Sequence, residues 1–198
     1  MAYDTRHVVI VNGYGCHLDT PLKPYLDRVV RFINDIPSDV SLQVIFSGGL
    51  TQQMTAPGIT EANLMAEYVH MHPDRRRMGY LCFKEKSAFT TYGNISGATE
   101  LVYKWRANTA NGVPFKSTKI TIFCEATRAA HVVMLARHFL LPFVKNIDDI
   151  NVETASWERA NPFKQVGNLI YNKLAITYPW LGLAERERRH RMQRAKEI

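Results

Sequence analysis

The residues of this sequence best suited to chemistry lie in short polar segments that directly follow apolar runs. In Cys124-Glu125-Ala126-Thr127-Arg128-Ala129-Ala130-His131, Arg128 and His131 stand one helical turn apart and share a face. A guanidinium grips phosphate or carboxylate through paired hydrogen bonds, and an imidazole titrates near neutral pH and can move a proton. Either residue alone is more often ordinary helix surface or core, but two of them in the first turn after a strand favour a site. Glu125 adds a carboxylate to the same turn. Cys124 reads as a small buried hydrophobe, since nothing orients a Cys124–His131 pair for nucleophilic attack. Glu61, beside Thr60, puts another carboxylate in the first turn of a helix. There it either complements the helix dipole or exchanges a proton with a ligand hydroxyl, amine or water.

Glycines and hydroxyls fill the other segments. Ser47-Gly48-Gly49 follows an apolar run, and its glycines permit left-handed backbone angles and close approach of a ligand. Asn12-Gly13-Tyr14-Gly15 is a tight turn or a set of N–H donors for an anion. It is not a dinucleotide fingerprint, because Leu18 stands where the third glycine falls, and it has no P-loop lysine. The loop from Glu85 to Asn94 is rich in hydroxyls and ends at a helix start. Thr91 there either caps the helix or joins its first N–H groups in cradling an anion. The N–H groups near Gly48, Gly49 and Thr91 are thus expected to hold the anionic part of a ligand, with Arg128 as counter-charge. A metal shared by Glu61, Glu85 and Glu125 is compatible with these residues, but no spacing demands one. Trp157, in the segment after the last apolar run, either stacks on a base or covers the edge of the core.

The elements that must position these residues are legible from periodicity. Residues 7–11, 42–46, 80–83, 119–123 and 146–152 read as strands. Between them, Thr20 with Pro21 opens a helix whose apolar face is Leu22, Tyr25, Leu26, Val29, Val30 and Ile33. Thr60 caps a helix through Met65, Tyr68 and Val69. Residues 94–106 form a third helix, Thr127 caps a fourth reaching Leu141, and residues 163–177 form a fifth. Such alternation predicts βαβ units and hence an α/β fold with a mainly parallel sheet of about five strands covered on both faces. Ligands of such sheets bind beyond the carboxyl ends of the strands, where strand order switches, and every segment above follows a strand.

Composition narrows the class without naming a ligand. The 198 residues, 46% hydrophobic and 22% charged, suit one core, with residues 1–184 as a single domain. No apolar run approaches the ~18 residues of a membrane span, and no leader-like segment precedes the first strand. Three widely spaced cysteines argue against a disulfide framework and a zinc site and point to the cytoplasm. Of the net charge of +7, six Lys and Arg residues fall in 185–196, so residues 185–198 read as a basic C-terminal tail or helix. It is either a solvated terminus or a contact for anionic surfaces such as lipid headgroups; no nucleic-acid motif accompanies it.

Taken in order, Val9-Ile10-Val11-Asn12-Gly13, Ile45-Phe46-Ser47-Gly48-Gly49, Thr60-Glu61-Ala62, Glu85 with Thr91 and Asn94, and the turn Cys124 to His131 resemble a bacterial family of unknown function that includes the YdcF, SanA and ElyC proteins. The match spans roughly residues 7 to 140. The resemblance implies a three-layer α/β/α Rossmann-like sandwich with a polar pocket at Ser47, Gly48, Gly49, Glu61, Glu85, Thr91 and Asn94. It also implies the soluble, YdcF-like type, linked to S-adenosylmethionine binding. Many members carry Thr-Ser and then His-x-x-Arg where this chain has Cys124-Glu125 and Arg128-x-x-His131, and an acidic residue where it has Gly93. The expected function is binding of a nucleotide-like, S-adenosylmethionine-like or phosphorylated small molecule, with Glu61 or His131 as general acid or base in hydrolysis or group transfer. The alternative is a non-catalytic ligand sensor or envelope accessory protein acting through partners.

Overall fold

Five apolar runs become strands in the computed structural model, which describes residues 5–18, 21–107, 117–156 and 162–197. They are β1 (Thr5–Asn12), β2 (Ser41–Ser47), β3 (Leu81–Glu85), β4 (Ser117–Glu125) and β5 (Ile150–Ala155). Every neighbouring pair is parallel, in the order β3-β2-β1-β4-β5. Parallel neighbours need crossovers, supplied by α1 (Leu22–Asp35), α2 (Glu61–Met71), α3 (Thr91–Ala107) and α4 (Ala129–Leu140). Two further helices, α5 (Pro162–Thr177) and α6 (Leu183–Arg194), follow β5.

Successive strand residues point to opposite faces, and both faces are covered. Val9 and Val11 of β1, Val44 and Phe46 of β2 and Phe123 of β4 pack with the buried face of α1 and with Ala62, Met65 and Val69 of α2. Val8, Ile10, Ile45, Ile120, Ile122 and Cys124 pack on the other side with Ile95, Ala98 and Val102 of α3 and with Val132, Leu135 and Leu140 of α4. This is the predicted α/β sandwich. The six α1 residues read from periodicity are all buried.

Register aligns the carboxyl ends of the strands. Asn12 pairs with Ser47, Ser47 pairs with Glu85, and Val11 pairs with Phe123. The chain reverses direction of travel across the sheet between β1 and β4, and the polar ends of the strands collect beside that point.

Several boundaries differ from those expected. Thr90, not Thr91, receives the Gly93 N–H at 2.9 Å, so α3 starts three residues early. Thr127 is no helix cap: residues Ala126–Arg128 form a 3-10 turn capped by Glu125, and α4 begins after it. A second 3-10 turn, Ile147–Asp149, closed by a capping box between Asn146 and Asp149, displaces β5 toward the C-terminus. Thr20 and Trp157 lie outside the described residues. The segment read as a basic tail is largely α6, which packs on α5 and α3. Beyond its end Ala195 is buried and its carbonyl accepts the Gln53 N–H at 3.2 Å.

Candidate functional site

Glu61 is the centre of the strand-end cluster. Its helix starts on the glycine turn: the Glu61 N–H donates to the Gly49 carbonyl and the Ala62 N–H to the Gly48 carbonyl, both at 3.1 Å. Thr60 Oγ1 accepts the Asn63 N–H as the cap. The Glu61 side chain then crosses the ends of β1 and β2 between Gly13 and Gly48. A Cβ on Gly13 or Gly48 would lie 2.3 or 2.4 Å from Glu61 Oε2 and almost as close to Glu61 Cβ. Both positions therefore need glycine for space. Their φ angles are not positive, and the left-handed backbone in this region belongs to Gly15, at φ 123°. Gly15 donates its N–H to Glu61 Oε1 at 2.7 Å, and Thr51 Oγ1 donates to the same oxygen at 2.6 Å.

Glu61 is only 6% exposed. Burial pushes its carboxyl above the ordinary carboxylate range, against the opposing pull of the Thr51 and Gly15 bonds and of the Arg128 charge. It borders a cavity of about 310 Å³, at the small end of ligand pockets, which run to roughly 1,000 Å³. The loop after β1 contributes Gly13, Tyr14 and Gly15, and the loop after β2 contributes Thr51 and Gln52. From the start of α3 come Thr90, Thr91 and Asn94, and from the turn into α4 come Arg128 and His131. Gln165, Asn168 and Asn172 of α5 and Glu187 and Arg191 of α6 complete the wall.

Two cations meet this space. Arg128 lies over the Tyr14 ring, 4.5 Å from its centroid, and Tyr14 Oη accepts the Glu125 N–H at 2.9 Å. The stack holds the guanidinium at the cavity by its face and leaves its edge for hydrogen bonds. Arg191 is tethered to Glu187 at 3.4 Å. Amides share the wall with them, and two amide oxygens, Gln165 Oε1 and Asn172 Oδ1, are buried with no hydrogen-bond partner among the described residues.

His131 also borders the cavity but is 2% exposed. Its Nε2 donates to the Gln165 carbonyl at 2.5 Å, which fixes the proton on that nitrogen and ties α4 to α5. Burial lowers its pKa, further depressed by Arg128 and partly restored by the Gln165 carbonyl and Glu187. Through the Nε2 bond it clamps α5 to α4 in the cavity wall.

The other predicted residues divide between wall and fastening. Gly13, Thr91 and Asn94 line the cavity; Asn12, Ser47, Gly48, Gly49, Glu85 and Glu125 do not. The backbone N–H groups of the glycine turns, expected to cradle an anion, are spent inside the protein. Gly13 donates to the Ser47 carbonyl (2.7 Å), Gly48 to the Glu85 carbonyl (3.0 Å) and Gly49 to the Ala88 carbonyl (2.7 Å). Asn12 Nδ2 donates to the Phe123 carbonyl at 3.2 Å, joining β1 to β4. Ser47 Oγ lies 3.1 Å from Glu85 Oε2 and 3.1 Å from the Asn94 carbonyl. Glu85 Oε1 accepts from Ser87 N–H and Oγ, while Oε2 faces Ser47 Oγ and the Ala88 N–H. Glu125 accepts from Thr127 N–H and Oγ1. The three carboxylates therefore do not converge on one point, and no described group of three His, Cys, Asp or Glu residues could hold a metal ion. Cys124 is fully buried, with burial pushing its thiol up to about 12.

Periodicity did not single out Tyr14, Thr51 or the α5 and α6 residues. One signal was present for α5, since Gln165, Asn168 and Asn172 recur at helical spacing and make an amide stripe. No family model, curated protein or solved structure matches the chain.

Proposed function

We propose that the cavity binds a small molecule carrying an anionic group and that Glu61 exchanges a proton with it. The single observation behind this reading is the buried Glu61 carboxyl, raised above its ordinary range and facing a polar cavity that also holds Arg128. A carboxyl so placed is poised to act as general acid or base nearer neutral pH than an exposed one. Arg128 supplies the counter-charge for phosphate, carboxylate or a nucleotide-like group. The amide side chains of Gln165, Asn168 and Asn172 in the wall offer further hydrogen bonds to ligand hydroxyl or amino groups. Backbone N–H groups of the glycine turns have no part in this proposal, because they are already bonded. The ligand class is a phosphorylated, nucleotide-like or S-adenosylmethionine-like small molecule, and the reaction class hydrolysis or group transfer. The resemblance to the YdcF-like family belongs to the same proposal.

A sensor reading rests on a different observation: α5 and α6 supply five wall residues, so an occupant would join the C-terminal helices to the sheet. One experiment separates the two. Nucleotides, S-adenosyl compounds and sugar phosphates are screened by thermal shift against the native chain, Glu61→Gln and Arg128→Ala. A ligand at a hundred times its Kd stabilises the native fold by about 2.7 kcal/mol. Arg128→Ala abolishes that shift, and Glu61→Gln retains much of it while lowering turnover roughly 10²–10⁴-fold. Binding without turnover of any ligand leaves the sensor reading; no shift with any compound removes both.

A further inference from the structure

The helix α5 is turned against the usual rule for a surface helix. Its amide stripe, Gln165, Asn168 and Asn172, faces the cavity, and Asn172 is buried. On the opposite side, at spacings of four, Val166, Ile170 and Leu174 are exposed. The apolar side continues past the end of the helix into the 3-10 turn Pro179–Leu181, where Trp180 is 75% exposed and Leu181 is also out. Tyr178 packs edge-on against Trp180, with ring centroids 5.4 Å apart. Isolated exposed apolar residues need no account, but a continuous row ending in an aromatic pair marks a surface that meets something other than water.

We propose that this outer face of α5, with the Trp180 turn and the basic helix that follows, docks on the surface of an anionic lipid bilayer. Charge decides between occupants. The helix α6 begins one residue after the turn, and Arg186 and Arg194 within it and Lys196 just beyond its end are exposed and have no ion pair with another described residue. The whole chain carries a net charge of +7. A second copy laid on the same face brings one basic helix to another, with like charges added on both sides. A bilayer of anionic lipid instead offers both complements, acyl chains for Val166, Ile170 and Leu174 and headgroups for the arginines. Trp and Tyr at the rim suit the boundary between them. No helix among the described residues is long and apolar enough to cross a membrane, so the contact lies in the interface plane. The cavity's ligand plays no part in this inference.

Flotation of the full chain with vesicles tests it. The chain floats with equimolar phosphatidylglycerol and phosphatidylcholine and stays behind with phosphatidylcholine alone. Salt at about 1 M, which shortens the screening length to ~3 Å, releases it. Ile170→Gln and Trp180→Gln each weaken partitioning about tenfold or more, as expected for losing one buried apolar side chain. The pair Arg194→Gln and Lys196→Gln weakens it about fivefold per charge. Emission from Trp180 moves to the blue on vesicle addition, and the shift disappears in Trp180→Phe, a readout that needs no destabilising change. Equal binding to neutral vesicles, no flotation at all, or a concentration-dependent dimer that Ile170→Gln dissolves would each overturn the proposal.

Discussion

Two buried glutamates at the same edge of the sheet have opposite surroundings. Glu85 ends β3 and answers four donors, two on each carboxylate oxygen: Ser87 N–H and Oγ on Oε1, Ser47 Oγ and the Ala88 N–H on Oε2. Gly97 leaves room for it, since a Cβ there would lie 2.6 Å from Glu85 Cγ. Glu61 begins α2, and the two bonds that hold it both fall on Oε1. Its Oε2 sits beside Gly13 and Gly48 at the cavity. A carboxylate bonded through both oxygens fastens a loop. One bonded through a single oxygen and starved of water keeps chemical capacity. Donor count, more than residue type or position along a strand, separates the fastener from the reactive group.

The isosteric amide breaks this comparison most sharply. At Glu85 an amide must turn an NH2 toward donors whichever way it flips. Glu85→Gln is therefore expected to cost about 3 kcal/mol, read from a shifted denaturation midpoint at unchanged slope. At Glu61 the amide oxygen can take both donors and the NH2 the other side, so Glu61→Gln stays within about 1 kcal/mol of the native chain. Equal losses at both positions would erase the distinction. Next in size are the glycines. Gly13→Ala and Gly48→Ala each push a Cβ into Glu61, at a cost of about 1–3 kcal/mol typical of overpacking. Because the collision includes Glu61 Cβ, adding Glu61→Ala does not restore stability; a rescue by that second change would show that only the carboxyl group matters.

The same contrast explains what the sequence made legible. Strand runs and the α1 face were readable because burial on two sides writes a strong periodic signal, as Val8, Val9, Ile10 and Val11 show. Ser47-Gly48-Gly49 was readable as a special turn because glycines after a buried strand have few other uses. Its reason was not, since the wedge of Glu61 between Gly13 and Gly48 unites residues from three separate segments. The destination of a buried N–H is likewise a tertiary fact, which is why Gly48 and Gly49 looked like anion donors and proved to be bonded to Glu85 and Ala88. The segment 185–198 looked detachable because its charge is conspicuous. Its cavity contacts rest on two residues, Glu187 and Arg191, at ordinary surface spacing. Thr91 was displaced from the cap by Thr90, an adjacent hydroxyl that local pattern cannot rank.

The smallest expected effect concerns pH, and it separates the buried carboxyl from the buried imidazoles by sign. Glu61 is raised in the folded chain by burial, so between the ordinary value near 4.5 and its raised value the native state holds more protons than the unfolded chain. Stability from this group is greatest below that window and falls as pH rises through it. His7 and His131 are lowered, His7 to about 4 by burial and then by Lys119. Below the ordinary 6.5 the unfolded chain takes up protons that these rings refuse, and stability falls as pH drops toward 4. The two effects oppose each other across the mildly acidic range. Replacing Glu61 with Gln removes one of them and leaves the histidines. Denaturation midpoints of Glu61→Gln and the native chain, measured from pH 4 upward, should therefore diverge in favour of the variant and reach a constant difference once Glu61 is ionised. A difference that stays flat across the whole range would mean that the Glu61 carboxyl titrates as an ordinary, solvated one, and its claim to the chemistry of the cavity would go with it.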